Sequence, residues 1–308
     1  MLSLVRFWLI CVLKSRSKTT QGNDLGFTMI ELLISAVVAS MIITPILFFV
    51  VDVLQTDTRE EIRARSEQEL QTAADFIRRD LSQAIYIYDG EGVGKIRSQL
   101  PHPEDDVVLV FWRQEFIPNA VPPCDDRGDR CNDAQVYSLV AYYLQTGASD
   151  TWSGQARISR LQIQDCPREG RDCVDGTEPD KGFQLPSFQD EGTLQEIMNG
   201  WRASGTITEP REVLIDYIYP DVVAGLPDDH CRTALNLDNA TEANLLSGNK
   251  GSGFFVCVDS DPARTAALVN LRMNAAIRID PNATEFDEDR RSLFPETNFL
   301  VKGLGAFN

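Results

Sequence analysis

Positions 27 to 51 read FTMIELLISAVVASMIITPILFFVV, apolar around the whole circumference of a helix except for small hydroxyl residues and one acid, Glu31. A bilayer-crossing helix needs about 20 apolar residues, and residues 32–51 supply that length without a charge. Past Val51 the pattern changes. Ile62, Ser66, Leu70, Ala73, Ile77, Leu81 and Ala84 recur at spacings of three and four among charged residues, which predicts an amphipathic helix packed along one stripe. The two stretches join into one predicted helix from about Phe27 to Ala84. Glu61 with Arg65, Arg65 with Glu69, and Asp75 with Arg79 stand at i,i+4 spacing and can pair along it. Pro45 interrupts the apolar half and predicts a kink or local melting there.

From residue 84 the period shortens to two. AIYIY at 84–88, VVLVFW at 107–112, VYSLVAYYL at 136–144, RISRLQI at 157–163, VLIDYIY at 213–219, FFVCV at 254–258 and ALVNLRMNAAIRI at 267–279 read as strands, rich in aromatic and β-branched residues. Loops of Gly, Pro and Asp separate them, the longest around residues 165–211, which predicts long surface excursions. No internal repeat is visible. The fold class expected is α+β, a long N-terminal helix packed on an antiparallel sheet domain.

Charge refines the picture. The formal net charge is -17, which argues against a phosphate-binding surface, so no nucleic-acid partner is expected. Its distribution is uneven: Arg6, Lys14, Arg16 and Lys18 face only Asp24 in the first 26 residues, whereas acids at Asp52 and Asp57 follow the apolar run. Basic residues before an apolar span stay on the cytoplasmic side, which places the rest of the chain outside.

Seven cysteines divide in the same way. Cys11 precedes the apolar run, and Cys124, Cys131, Cys166, Cys173, Cys231 and Cys257 follow it. With no Cys-x-x-Cys pair and only His102 and His230 in the chain, the six fit disulfides in an oxidising compartment better than a zinc site. Cys124 to Cys131 and Cys166 to Cys173 can each close a tight loop, leaving Cys231 for Cys257, although spacing alone does not fix connectivity.

An ordinary single-pass anchor or a secretory signal peptide would also give an apolar run, but both leave Glu31 unexplained. An acid in a membrane helix costs roughly 2.5–3.5 kcal/mol at the centre and less near an end, and a signal peptide ends its apolar core in small residues, where this chain has Phe48, Phe49, Val50 and Val51. The run Gly26-Phe27-Thr28-Met29-Ile30-Glu31-Leu32-Leu33, after a basic leader and before an apolar helix, resembles the cleavage motif of the type IV prepilin and pseudopilin family. The order of helix and strands resembles the larger minor pilins and J-type pseudopilins, and the region up to Asp89 is similar to cyanobacterial pseudopilins associated with polysaccharide secretion in motile filaments.

That resemblance implies a pilin-like fold with a leader at 1–26, a pilin helix at 27–85 whose membrane part is 27–51, and a β-rich periplasmic or extracellular domain at 86–308. It implies a prepilin peptidase as processing partner, cutting between Gly26 and Phe27 and methylating the new amino group of Phe27. It further implies anchorage in the inner membrane, then assembly with other pilins through an assembly platform, with Glu31 neutralising the terminal ammonium of a neighbouring subunit. The function implied is that of a minor, structural subunit of a pilus or secretion pseudopilus. The chain's size suits a tip position.

Signatures of catalysis are missing: there is no phosphate-binding Gly-rich loop, nucleophile elbow, His-Glu-x-x-His helix or dinucleotide fingerprint. No catalytic residues, metal or cofactors are therefore expected, and the chain reads as an enzyme's substrate, not an enzyme. Asp280, Asn282, Thr284 and Asp287 to Asp289 offer oxygen atoms for calcium but lack the glycine of a calcium loop. Arg127-Gly128-Asp129 has the form of an adhesion motif, and Asn239 and Asn282 open glycosylation sequons. A surface-exposed adhesin or receptor, and an anchored periplasmic protein unrelated to pili, are the competing readings.

Overall fold

The computed structural model describes residues 28–124, 131–187, 192–237, 239–259 and 265–305. It is an α+β chain with a long apolar N-terminal helix and antiparallel sheets. Helix α1 spans Met29–Ser82. The chain divides into two compact units, Met1–Asp57 and Thr58–Asn308, so the helix contributes to both. Pro45 lies inside α1, which stays helical on either side of it, so of the kink or local melting expected there the melting does not occur.

Within the second unit a five-stranded antiparallel sheet has the order β1-β2-β3-β4-β7, from β1 (Ala84–Ile87), β2 (Asp106–Val121), β3 (Asn132–Thr146), β4 (Ala156–Gln164) and β7 (Glu212–Ile218). A four-stranded sheet has the order β11-β10-β9-β8, from β8 (Leu246–Gly248), β9 (Phe254–Asp259), β10 (Ala266–Arg272) and β11 (Glu296–Lys302). A small hairpin of β5 (Arg168–Glu169) and β6 (Asp172–Cys173) stands apart. Short helices α2 (Gly90–Ile96), α3 (Leu194–Asn199), α4 (His230–Leu235) and α5 (Glu242–Leu245) fill the connections.

Period-two alternation explains why the central strands read as nearly unbroken apolar runs. On β3, Val140, Tyr142 and Leu144 join the core under α1, while Leu139, Ala141 and Tyr143 join a second core on the opposite face. The first core takes Leu70, Ala73, Ala74, Ile77 and Leu81 from α1 and Val256, Val269 and Phe299 from the four-stranded sheet. The second, built on Trp112, Tyr86 and Tyr88, is closed by Phe183, Met198, Trp201 and Ile207.

That closure corrects one expectation. The described residues within 165–211 are not simply surface excursions, because the five-stranded sheet has two apolar faces and α1 covers only one. Trp201 donates from Nε1 to the Gln184 carbonyl at 2.7 Å, and the Tyr88 hydroxyl donates to the Met198 carbonyl at 3.1 Å, pinning this irregular segment over the sheet. The strand expected at 267–279 also stops early, at Arg272. Asn274, buried, donates to the Ala283 carbonyl at 2.9 Å and accepts from the Ala276 N–H at 3.1 Å, so its side chain takes over backbone bonding and turns the chain into a short helical turn. Of the predicted pairs on α1, Arg65 and Glu69 meet at 2.9 Å, whereas Asp75 pairs with Arg78 one turn away and not with the Arg79 guanidinium.

Three disulfides form: Cys124–Cys131, Cys166–Cys173 and Cys231–Cys257. The last is buried against β9 beneath α4.

Candidate functional site

The segment that carries most of the sequence motif is the first half of α1. Its large apolar side chains, from Met29 through Leu54, are all exposed, and an 18-residue stretch long and apolar enough to cross a membrane has none of itself buried within the protein. The hydroxyls scattered through it are satisfied locally. Ser35 donates to the Glu31 carbonyl at 2.8 Å, Ser40 to the Val37 carbonyl at 2.8 Å, and Thr44 to the Ser40 carbonyl at 2.7 Å. A helix that pairs these hydroxyls with its own backbone is suited to a medium without water.

Glu31 lies in the first turn. Its N–H meets the Thr28 carbonyl at 3.0 Å and the Thr28 hydroxyl at 3.4 Å, so Thr28 caps the helix. Thr28-x-x-Glu31 is the spacing of a capping box. Only half of that box is made: the Glu31 carboxylate has no hydrogen-bond or ion-pair partner among the described residues. Gly26 and Phe27 lie outside the described residues, as do Cys11 and the Arg127-Gly128-Asp129 run.

The second half of α1 is held by a buried charge cluster that sequence reasoning missed. Asp80, 3% exposed at its side chain, pairs with Arg113 of β2 and with Arg160 of β4, the latter at 2.7 Å, and accepts from the Tyr142 hydroxyl of β3 at 2.7 Å. Three adjacent strands thus converge on one helix carboxylate. Burial holds the Tyr142 hydroxyl well above its ordinary value, with the Asp80 charge adding to this, so the phenol stays a proton donor. Burial is the largest single influence and opposes the Arg160 charge, but the hydrogen bond and charge of Asp80 together with Tyr142 outweigh it, so the guanidinium is raised. The sequence held a signal for this: an acid beside Ile77 and Leu81 on the buried stripe, and basic residues inside strand-like runs.

Two further ties join α1 to the same unit. Arg278 donates to the Ser66 hydroxyl at 2.9 Å and pairs with Glu69. The acidic loop considered for calcium turns its carboxylates to the backbone: Asp280 accepts from the Asn282 N–H at 3.0 Å, and Asp287 accepts from the Asp289 N–H at 2.9 Å and pairs with Arg290. Among the described residues no group of three or more His, Cys, Asp or Glu side chains stands ready for a metal ion. Asn239 and Asn282 of the two sequons are both exposed.

No protein-family model, curated protein or solved structure matches the chain.

Proposed function

We propose that the chain is a minor pilin or pseudopilin, a structural subunit anchored in the inner membrane by the first half of α1 and assembled through that segment into a type IV pilus or secretion pseudopilus. The observation that carries this reading is a single helix with two characters: an apolar first half that buries nothing within the chain, and a second half docked on an antiparallel sheet domain. The Gly26-Phe27 junction, Glu31 at the fifth position after it, and the basic leader supply the sequence side. In a filament core of apolar helices the unpartnered Glu31 carboxylate faces a desolvation cost that a neighbour's Phe27 ammonium offsets. Three disulfides fit an exported domain.

In this reading prepilin peptidase is the processing enzyme, the pilus assembly platform and other pilins are the partners, and the β-rich part faces the periplasm or exterior. Polysaccharide secretion with motility is the narrower assignment. The deciding experiment is terminal sequencing and intact mass of the mature protein from its native host. A terminus at Phe27 carrying an added methyl group is expected; an uncut chain, or a cut beyond Val51, overturns the proposal.

A further inference from the structure

Strand β7 ends the five-stranded sheet, and one of its edges is open. It pairs with β4 on one side only. On the other side, among the described residues, the backbone from Glu212 to Asp216 meets no hydrogen-bonding partner until the Tyr217 carbonyl accepts from the Asn274 N–H at 2.7 Å. Native sheets cover, charge or bulge such an edge, because unpaired N–H and C=O groups template another strand. Here a groove of about 710 Å³ runs along that edge, with the second half of α1 as its other wall.

The groove is furnished with the side chains that dominate protein interfaces. Phe76 of α1 and Trp152 of the β3–β4 loop are both 39% exposed and line it, together with Tyr217 and Arg79. Trp152 is held in place. The Ser149 hydroxyl accepts from the N–H groups of Thr151 at 3.2 Å and Trp152 at 3.3 Å, and Asp216 accepts from the Gly154 N–H at 2.9 Å. A β-carbon at Gly154 would lie 2.4 Å from the Tyr217 nitrogen, so the loop lies flush against β7 at that point. An aromatic anchor fixed before binding loses little entropy on binding.

Charge selects the occupant. In a chain of net charge -17, this groove carries Arg65, Arg79 and Arg278 against Glu69 and Asp216, with the exposed Glu212 at the start of the same edge, so the call for a carboxylate is local to Arg79. Arg65 and Arg278 share Glu69, and Asp216 is engaged by the Gly154 N–H. Arg79 reaches only the Asp75 carbonyl, at 3.3 Å, and has no carboxylate partner among the described residues. Backbone groups along an edge require alternating donors and acceptors at a spacing of about 3.3 Å per residue, which an extended peptide supplies and a sugar chain does not. Register shifts near Leu214 and Asp216 bend β7, so the added segment is short.

We infer that the groove beside β7 is a docking site for a short, extended, acidic segment of a partner protein, which adds to the open edge from Glu212 to Asp216 and packs on Trp152. The inference holds whether or not the chain is processed as a prepilin, so its failure and that of the function proposed above are separate results. The test is selection of random seven-residue displayed peptides on the full-length chain in detergent micelles, followed by titration of the selected peptides. Acidic, β-prone sequences are expected to be enriched. Arg79→Glu and Trp152→Ala should each weaken them at least about tenfold while melting stays unchanged, both side chains being exposed, and N-methylation of alternate peptide amides should abolish binding.

Three results would each overturn the inference. One is a lack of any enriched sequence, which would mean that the bulged edge is blunted against pairing. Another is equal binding by N-methylated peptides or by Arg79→Glu. The third is binding of an acidic oligosaccharide such as tetragalacturonate where no peptide binds.

Discussion

The two halves of α1 present the same backbone to opposite tasks. From Met29 to Val51 the large apolar side chains are exposed and the one acid, Glu31, has no partner among the described residues. From Ser66 to Leu81 the helix buries a stripe, and its buried acid, Asp80, has three. A helix apolar all round looks outside its own chain for burial, whereas an amphipathic helix finds it at home. The stability of the second half is intramolecular. The first half buries nothing within the chain, and in the function proposed above lipid and other subunits supply its burial.

Substitutions that affect one half and spare the other test this contrast. Asp80→Ala leaves Arg160 buried without its carboxylate and Arg113 with Glu115 alone, and should cost about 3–5 kcal/mol, seen as a lower denaturation midpoint of the folded unit. Asp80→Asn should recover part of this, since it still accepts from Tyr142. Removing Cys231 and Cys257 together opens the loop with sequence separation 26, for a loss of ~3.5 kcal/mol by loop entropy; membrane fractionation should not change. Opening either seven-residue loop should cost less, ~2.4 kcal/mol.

A paired comparison is sharper still. Leu70→Ala should cost about 2–5 kcal/mol of folding stability with no effect on membrane partition. Ile42→Arg should weaken membrane insertion by about 3 kcal/mol with no effect on the melting of the folded unit. If either substitution moved both readouts, the division of labour along α1 would be wrong.

The smallest effect concerns pH. Burial alone would raise the Glu69 carboxyl, but hydrogen bonds from Arg278 and Arg65 overcome it and hold it below its ordinary 4.5; Glu296 is held low chiefly by its hydrogen bond from Arg272. Because the folded values lie below the unfolded ones, these pairs stabilise the fold fully above about pH 4.5 and are lost as pH falls further. Both groups are partly exposed, so the effect is screened. Acid titration should show it as a shallow decline that Glu69→Gln flattens.

Sequence alone determined the parts of this protein that depend on local periodicity. The apolar span, the amphipathic stripe and the seven strand cores were legible because each is set by residues within a turn or two of one another, whereas cysteine spacing offered a pairing without fixing it. Strand β11 was legible in principle, with Phe299 and Val301 alternating inward, yet its polar ends hid it. Tertiary structure decided what required distant residues to meet. Asp80 meets Arg113, Tyr142 and Arg160 across separations of 33 to 80 residues; residues 165–211 become a cover because a sheet buried on both faces needs one; and Asn274 ends a strand only because Ala283 stands where its amide can donate. Spacing in sequence carries information about a helix turn or a pleat, but which face of a sheet a loop returns to is decided by the burial of the whole chain.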